Sequence, residues 1–387
     1  MIAIEIATIE RELAQLWREG GTEASTGQAL TRALTLNLVA RATDTTAADQ
    51  IGTTARELAA SHPSRTILAV LQPGASAPQL EAFVEASCPL VGPGMPQVCG
   101  EQVTLYAQGA ATAQVASLIL ALLVPDLPVA LWLPGPAPLA DPLLPRLRGV
   151  LDRLIVDSRS FTAPARGLVE LAAWELAALE GGGSAAHPAL SDLAWAALTP
   201  WRELLAQFFD TRALLPHLHR IDEVQLDYLA APLQEARPNP VPALLMAGWL
   251  AAALGWVPLD EAVSVEGDRV RLHLRRPAVD RGPGAIRLVS VELCPVAAPA
   301  GSSPGLAAIR LRAVDGQRAE FRVDRAELPG HARTTAFVAG HEPLSRVARC
   351  EEPSLAELLA AELRLRSRDR TFAAALRVAA RFAARLG

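Results

Sequence analysis

Short apolar runs alternate with amphipathic stretches over residues 1–230. An amphipathic helix with Ile9, Leu13, Leu16 and Trp17 on one face comes first. The runs that predict strands cover Leu30–Val39, Thr66–Leu71, Gln102–Ala107, Val129–Leu133, Arg153–Val156 and Val224–Tyr228. The stretches that predict helices cover Thr46–Ala60, Gln79–Ala86, Thr112–Leu123, Leu143–Leu151 and Leu168–Leu179. Because repeated strand–helix–strand units pair in parallel through right-handed crossovers, this pattern predicts an α/β fold with an open, mainly parallel sheet flanked by helices.

The pattern changes beyond a helix predicted over Val241–Leu254, where polar and apolar residues alternate singly. The strands predicted there cover Val270–Leu274, Ile286–Leu293, Ala308–Val314, Ala319–Val323 and Thr334–Val338. Asp315 and Gly316 form a hairpin signal between two of these runs. We therefore expect an α/β domain over residues 1–235 and, over residues 236–387, an α+β domain with an antiparallel sheet and terminal helices.

Two helix starts and one charged stripe complete the pattern. Thr199 and Pro200 predict an N-cap and first helical residue, and Ser354 with Glu357 has the spacing of a capping box. The last helix repeats arginine at Arg377, Arg381 and Arg385. This stripe is typical of a solvated face, and docking to an acidic partner is the alternative interpretation.

Charge and hydropathy set limits on partners and compartment. The net charge of −5 argues against binding nucleic acid or anionic lipid over the whole chain. The apolar run Val115–Leu133 is about as long as a bilayer requires, but Pro125, Asp126 and Pro128 interrupt it. With no basic leader at the start, the sequence predicts a cytoplasmic protein without a membrane partner. A homo-oligomer is compatible with these observations.

Several catalytic chemistries lack the residues they need. All 36 basic residues are arginine, so a Schiff-base lysine and a Walker lysine are excluded. Gly301–Gly305 has the spacing of a serine nucleophile elbow, but Pro304 removes the N–H that an oxyanion hole requires. No glycine-rich dinucleotide turn follows a predicted strand, and His217 and His219 lack a third metal ligand. We therefore predict no catalytic residue, no metal and no cofactor.

The cysteines allow two interpretations. Cys88 and Cys99 flank a loop rich in proline and glycine, which could bring the two thiols within bridging distance as a redox switch. In a reducing cytosol they would instead be two small half-buried side chains. Both interpretations stay open from the sequence.

Four clusters of polar groups, three of them with proline or tryptophan, lie at the ends of predicted elements, where binding residues of α/β folds collect. They are Ser61–Arg65, Asp126–Trp132, Asp152–Ser158 and Leu198–Arg202. In this order, with Cys99 and Glu101 between the first two, they resemble the glucose-6-phosphate dehydrogenase assembly protein family, OpcA. The resemblance implies a non-enzymatic partner that binds glucose-6-phosphate dehydrogenase and promotes its assembly or active state in the oxidative pentose phosphate pathway.

The clusters supply the candidate partner-binding residues. They are His62, Ser64, Arg65, Asp126, Trp132, Asp157, Ser158, Trp201 and Arg202. Arg65 has a guanidinium suited to a carboxylate, either on the partner or within the fold at Asp152 or Asp157. Trp201 and Arg202 are residue types enriched in interface hot spots, although tryptophan is also a common core anchor.

Two other functions fit parts of the sequence. A sugar-phosphate-binding enzyme or sensor would use the ends of the parallel strands, with His62, Ser64 and Arg65 around a phosphate. A nucleic-acid adaptor would use the terminal arginine stripe, and the acidic total argues against it.

Overall fold

A computed structural model of the chain describes residues 6–22, 30–32, 34–87, 97–180, 187–230, 238–277, 286–298, 305–314 and 316–386. These residues form two compact units. The first unit comprises Met1–Asp157, Ala177–Leu193 and Ser354–Arg368, and the second comprises Ser158–Leu176, Ala194–Pro353 and Asp369–Gly387. None of the helices in the described ranges has both the length and the apolar character needed to cross a bilayer. The predicted domain boundary between residues 235 and 236 would separate two domains that fold independently, and it stays a prediction.

The elements alternate in the first half of the chain. In chain order they are α1 (Ile6–Thr22), β1 (Leu30–Arg32), β2 (Leu36–Ala42), α2 (Thr45–Leu58), β3 (Ser64–Gln72), β4 (Gln79–Ser87), β5 (Gln97–Gln108), α3 (Val115–Leu122), β6 (Val129–Leu133), α4 (Leu143–Leu147), β7 (Arg153–Val156), α5 (Pro164–Glu180) and β8 (Ala189–Asp192). Short helices follow: α6 (Leu193–Ala197), α7 (Thr199–Ala206) and α8 (Leu215–Leu218).

The remaining elements are mainly strands. They are β9 (Glu223–Ala230), α9 (Val241–Leu254), β10 (Val257–Glu266), β11 (Arg269–Pro277), β12 (Ile286–Ala297), β13 (Leu306–Ala313), β14 (Ala319–Arg325), β15 (His331–Val338), β16 (Leu344–Arg349), α10 (Leu355–Leu363) and α11 (Arg370–Ala383).

The sheet of the first unit is open and mainly parallel, as predicted. Its strand order is β1-β5-β3-β2-β6-β7-β8, and β4 adds to β5 in the antiparallel direction. Leu38, Ile67 and Leu131 lie on central strands and are completely buried. Apolar side chains on successive positions of these strands are what a sheet covered on both faces requires. From β2 the chain winds first toward β3 and β5, and then returns to β6, β7 and β8 on the other side.

The sheet of the second unit has eight strands in the order β10-β11-β12-β9-β13-β14-β15-β16. All neighbours are antiparallel except β9 and β12. Because polar and apolar residues alternate along these strands, Val291, Leu311 and Phe321 lie on the buried face of the sheet. Helices α9 and α11 belong to the same unit. The predicted antiparallel sheet and terminal helices are therefore confirmed.

Four local predictions were wrong. Residues 79–87 form strand β4 rather than a helix, because they pair with β5 along their whole length. The run over 30–39 is divided into β1 and β2, and β9 joins the second sheet rather than the parallel one. The N-cap of α7 is Leu198, and Thr199 is already helical. The capping box at Ser354 and Glu357 is confirmed, and of the predicted hairpin pair Gly316 has φ 79° while Asp315 lies outside the described residues.

Candidate functional site

The strand order of the first unit creates one special position, between β2 and β6. Here the chain leaves the two central strands in opposite directions, so a crevice opens beyond their carboxyl ends. Open α/β sheets bind ligands in this crevice, and in dinucleotide-binding members the pyrophosphate lies at the N-terminus of the helix that follows the first strand. In this chain that helix is α2.

The N-terminus of α2 already holds a carboxylate. Asp44 is the N-cap, and its Oδ1 accepts the backbone N–H of Ala47 at 2.8 Å. Thr43 donates its hydroxyl to the other carboxylate oxygen at 2.9 Å. The Ala47 N–H, followed by the Thr43 hydroxyl, lowers the pKa of Asp44. A pyrophosphate would therefore meet a negative charge, and the glycines that permit its close approach are replaced by Thr43, Asp44 and Thr45.

An ion pair crosses the same crevice. Arg41, near the carboxyl end of β2, lies 3.1 Å from Asp141 Oδ2, and Asp141 follows β6. The side chain of Asp141 is 4 % exposed and its other oxygen accepts the N–H of Leu143 at 2.9 Å. Burial raises the pKa of Asp141 more than Leu143 and Arg41 lower it. The residues at the switch point therefore bind each other and do not fit a dinucleotide.

Arg65 lies at the opposite, amino-terminal edge of the sheet, at the start of β3. Its Nε donates to Glu101 on β5, and its two terminal nitrogens donate to the two oxygens of Glu10 on α1 at 2.7 and 3.3 Å. The carbonyl of Leu122 accepts a further bond at 2.9 Å. Burial lowers the pKa of Arg65, but Glu10 and Glu101 together outweigh this and raise it. The expected pairing with Asp152 or Asp157 was wrong, because β5 and not β7 is the neighbour of β3.

Asp152 and Asp126 shape the same edge. Asp152 accepts the N–H of Val129 at 2.8 Å and so joins the starts of β6 and β7. Asp126 is exposed and has φ 65°, a left-handed conformation that aspartate tolerates, so it forms the turn before β6. Both residues have a local structural role at the amino ends of the strands.

The other candidate residues of the first three clusters range from buried to half-buried. Ser64 is 2 % exposed and shares a hydrogen bond of 3.1 Å with Thr66. His62 is half-buried, and burial followed by the charge of Arg364 lowers its pKa. Trp132 is completely buried in β6, as is Ser158 after β7, whereas Asp157 is half-buried. A phosphate at His62, Ser64 and Arg65 would have to displace Glu10 and Glu101 from Arg65.

The fourth cluster belongs to the core of the second unit. Trp201 is 6 % exposed. Arg202 stacks on the ring of Trp195, with its guanidinium carbon 3.4 Å from the ring centroid, and donates to the Thr199 hydroxyl at 2.8 Å. Trp195 in turn donates to Asp369 at 2.9 Å. The cluster thereby ties α6 and α7 to the start of α11.

Of the two cysteines singled out in the sequence, Cys99 is buried in β5 and is disulfide-bonded, whereas Cys88 lies outside the described residues. Cys294 and Cys350 are free, and burial, as the largest cause, raises the pKa of both thiols, that of Cys294 to about 11. These two thiols are therefore poor nucleophiles at neutral pH.

Sequence reasoning missed the residues that close the switch point. Arg41, Asp44 and Asp141 belong to none of the four clusters. A signal was present in Thr43 and Asp44, because a threonine and an aspartate directly between a buried strand and a helix form an N-cap where a dinucleotide fold has glycine. The pair of Arg41 with Asp141 could not be found this way, since the two residues lie 100 positions apart.

Comparison with known proteins gives consistent matches along the chain. Residues 55–173 match the family model described as the glucose-6-phosphate dehydrogenase subunit N-terminal domain, and residues 188–376 match the corresponding C-terminal domain. The OxPP cycle protein OpcA of Nostoc punctiforme is 33% identical over 221 residues, which are 57% of this chain and 44% of the relative. The OpcA of Synechocystis is 31% identical over 204 residues, 52% of this chain and 39% of the relative.

The aligned regions thus span less than half the length of these curated relatives. A solved structure of a glucose-6-phosphate dehydrogenase with its substrate is 12% identical, with a TM-score of 0.49 and coverage of 91% of both chains.

Proposed function

The chain belongs to the OpcA family of glucose-6-phosphate dehydrogenase assembly proteins, and we propose on that basis that it is a non-catalytic assembly factor or allosteric activator of that dehydrogenase. It binds the enzyme in the cytoplasm and promotes its active oligomeric state. The chain then acts on the oxidative pentose phosphate pathway through its partner rather than by converting a substrate.

The proposal that the chain is non-catalytic rests on the switch point between β2 and β6, where side chains of the protein occupy the place of a cofactor. The Asp44 carboxylate occupies the helix N-terminus that a dinucleotide phosphate needs, and the pair of Arg41 with Asp141 crosses the crevice. A dinucleotide would have to displace both and to approach a carboxylate of its own charge. These residues support the proposal that the chain acts by binding another protein.

The test measures the activity and the sedimentation of the dehydrogenase with and without the purified chain. We expect a rise in the rate of NADPH formation and a shift of the dehydrogenase to a larger species in analytical ultracentrifugation. The chain alone should give no NADPH from glucose 6-phosphate and NADP+, and calorimetry should detect no heat with either compound. An unchanged rate together with unchanged sedimentation would contradict the proposal, and turnover by the chain alone would favour the sugar-phosphate enzyme.

The candidate residues extend the proposal to the interface and to redox control. Trp201→Ala and Arg202→Ala test the fourth cluster, with circular dichroism to separate lost binding from lost folding, because both side chains also pack within the unit. For Cys88 and Cys99, we propose that reduction of the disulfide at Cys99 changes the activating effect. Activation that is the same before and after reduction, and in Cys99→Ser, would remove this role.

A further inference from the structure

The crossover from β3 to β5 is unusual for a parallel sheet. Parallel neighbours are ordinarily joined by a helix that covers one face, but the described residues between β3 and β5 form strand β4 instead. Helix α2 covers β2 and β3 on that face. Beside α2, on the same face of the sheet, no helix in the part of the chain that the structure describes covers the strip formed by β5 and β4; α1, which contacts β4, lies on the opposite face with Arg65.

The result is a groove of about 410 Å³ along α2. Its floor is formed by Gln102, Thr104 and Tyr106 of β5, and the far wall is formed by Phe83 of β4. Phe83 is 54 % exposed and contacts the Tyr106 ring edge-to-face, with 5.7 Å between the ring centroids. An aromatic side chain in this position presents apolar surface that the described chain does not cover.

One floor residue lacks a hydrogen bond that it could make. Gln102 is 8 % exposed, and its Nε2 donates to the Thr104 hydroxyl at 3.1 Å, but its buried Oε1 has no partner among the described residues. A buried acceptor without a donor destabilises the free protein, because it has lost its hydrogen bond to water. Such a group is explained if a ligand supplies the donor.

The charges around the groove are mainly negative. Asp49 on α2 and Glu81 and Glu85 on β4 line it, against the single cation Arg56. Arg56 already donates to the Gly52 carbonyl at 3.3 Å and to the Thr53 hydroxyl at 3.0 Å on its own helix. A docked surface would therefore meet exposed carboxylates on both sides of an apolar floor.

We propose that this groove binds a basic amphipathic helix of a partner protein. The strip from β3 to β4 is two strand spacings wide, about 10 Å, which matches the diameter of an α-helix. The helix would place apolar side chains on Phe83 and Tyr106, a donor on Gln102 Oε1, and lysine or arginine beside Asp49, Glu81 and Glu85. Only the identity of the partner, glucose-6-phosphate dehydrogenase, rests on the proposed function.

The first experiment measures the affinity of the purified dehydrogenase for the full chain. The double variant Glu81→Arg, Glu85→Arg and the single variant Phe83→Ala should each weaken binding about tenfold or more. The control Glu327→Arg, Glu342→Arg makes the same change in net charge on exposed residues of the second unit, and Leu328→Ala removes an equally exposed apolar side chain. Wild-type affinity in both groove variants would overturn the groove proposal and leave the proposed function standing.

If the wild-type chain does not bind the dehydrogenase, the proposed function fails and a second arm decides about the groove. Its probe is a labelled 18-residue helical peptide of leucine and lysine with amphipathic spacing, and the control peptide has glutamate for lysine. Binding of the basic peptide by fluorescence anisotropy, lost in Glu81→Arg, Glu85→Arg, supports the groove. No binding by the wild-type chain, or equal binding by the charge-reversed variant, overturns it.

Gln102→Met separates a binding role from a structural one. The substitution keeps the volume and removes the unpartnered oxygen, and this gain offsets the loss of the hydrogen bond from Nε2 to Thr104, so the melting temperature of the free chain should change little. Binding of the partner or peptide should nevertheless fall severalfold, because the donor on the docked helix loses its acceptor. A variant that binds as tightly as the wild-type chain would remove Gln102 from the site.

Discussion

At the scale of single residues, the pair of Arg65 with Glu101 should matter most for stability. Both side chains are almost fully buried, so removal of the Glu101 charge leaves the buried Arg65 with a partly exposed counter-charge, that of Glu10. Glu101→Gln should lower the free energy of unfolding by about 3–5 kcal/mol in urea denaturation. Glu10→Gln should cost clearly less, because the Glu10 side chain is 43% exposed and water can replace it. Equal losses in the two variants would contradict this ranking.

Histidine burial gives a second prediction for single residues. His217 is 6 % exposed, its Nδ1 has no hydrogen-bond partner among the residues that the structure describes, and burial followed by the charge of Arg220 lowers its pKa. A base with a lowered pKa in the folded state stabilises the fold above its ordinary pKa, and this stability is lost as the pH falls through and below that value. The melting temperature should therefore decrease from pH 7.5 to 5.5, and less so in His217→Phe, whose ring can still pack on Phe321. His219→Phe is the exposed-face control, and the same slope in both variants would contradict the assignment.

Single residues also show which contacts could be predicted from the sequence. It predicted that Arg65 pairs with a carboxylate, on the partner or within the fold, because a planar guanidinium suits one, but it could not identify Glu101. That choice depends on which strands are neighbours, and hydrophobic periodicity does not determine the order of the strands in a sheet. The switch-point residues were missed for the same reason, since Arg41 and Asp141 become neighbours only when β2 and β6 pair.

At the scale of elements, long periodic segments were predicted well and β4 was not. Residues 79–86 contain glutamine, leucine, glutamate and alanine, which favour a helix, and eight residues are too few to separate the period of a helix from that of a strand. Pairing with β5 decides the outcome, with Leu80, Ala82 and Val84 on one face and Glu81 and Phe83 on the other. The groove along α2 exists because this segment is a strand, so it could not have been predicted.

Helices α9 and α11 allow an element-scale prediction. A Cβ added at Gly248 would lie 2.2 Å from the Ala375 carbonyl oxygen, so the two backbones approach too closely for any side chain. Gly248→Ala should destabilise the fold by about 1–3 kcal/mol or more through overpacking, although alanine favours a helix. Gly149→Ala meets no atom within 4 Å and serves as the control in chemical denaturation. A stabilised Gly248→Ala variant would show that this helix contact is not close in solution.

At the scale of the whole molecule, the sequence predicted the fold class, but it did not predict the path of the chain between the two units. Alternation with period two predicts the antiparallel sheet, and strand–helix alternation predicts the parallel one. The segment Ser354–Arg368 returns to the first unit after the second sheet is complete, and Asp369–Gly387 belongs to the second. No local pattern distinguishes these two neighbouring helical segments, because each is simply amphipathic and capped.

This path makes the last 34 residues essential to both units. Helix α10 packs against α2, and the carbonyls of Leu365 and Ser367 accept hydrogen bonds from the buried Arg153. Helix α11 buries Phe372, Leu376 and Phe382 in the second unit. Deletion of residues 354–387 should therefore expose apolar surface in both units at once and prevent cooperative unfolding. Deletion of Arg385–Gly387 alone removes only the end beyond α11 and should leave the melting temperature within a few degrees. If the longer deletion still melts cooperatively near the wild-type temperature, the fold of each unit is complete before residue 354, and the two terminal helices are available for a partner.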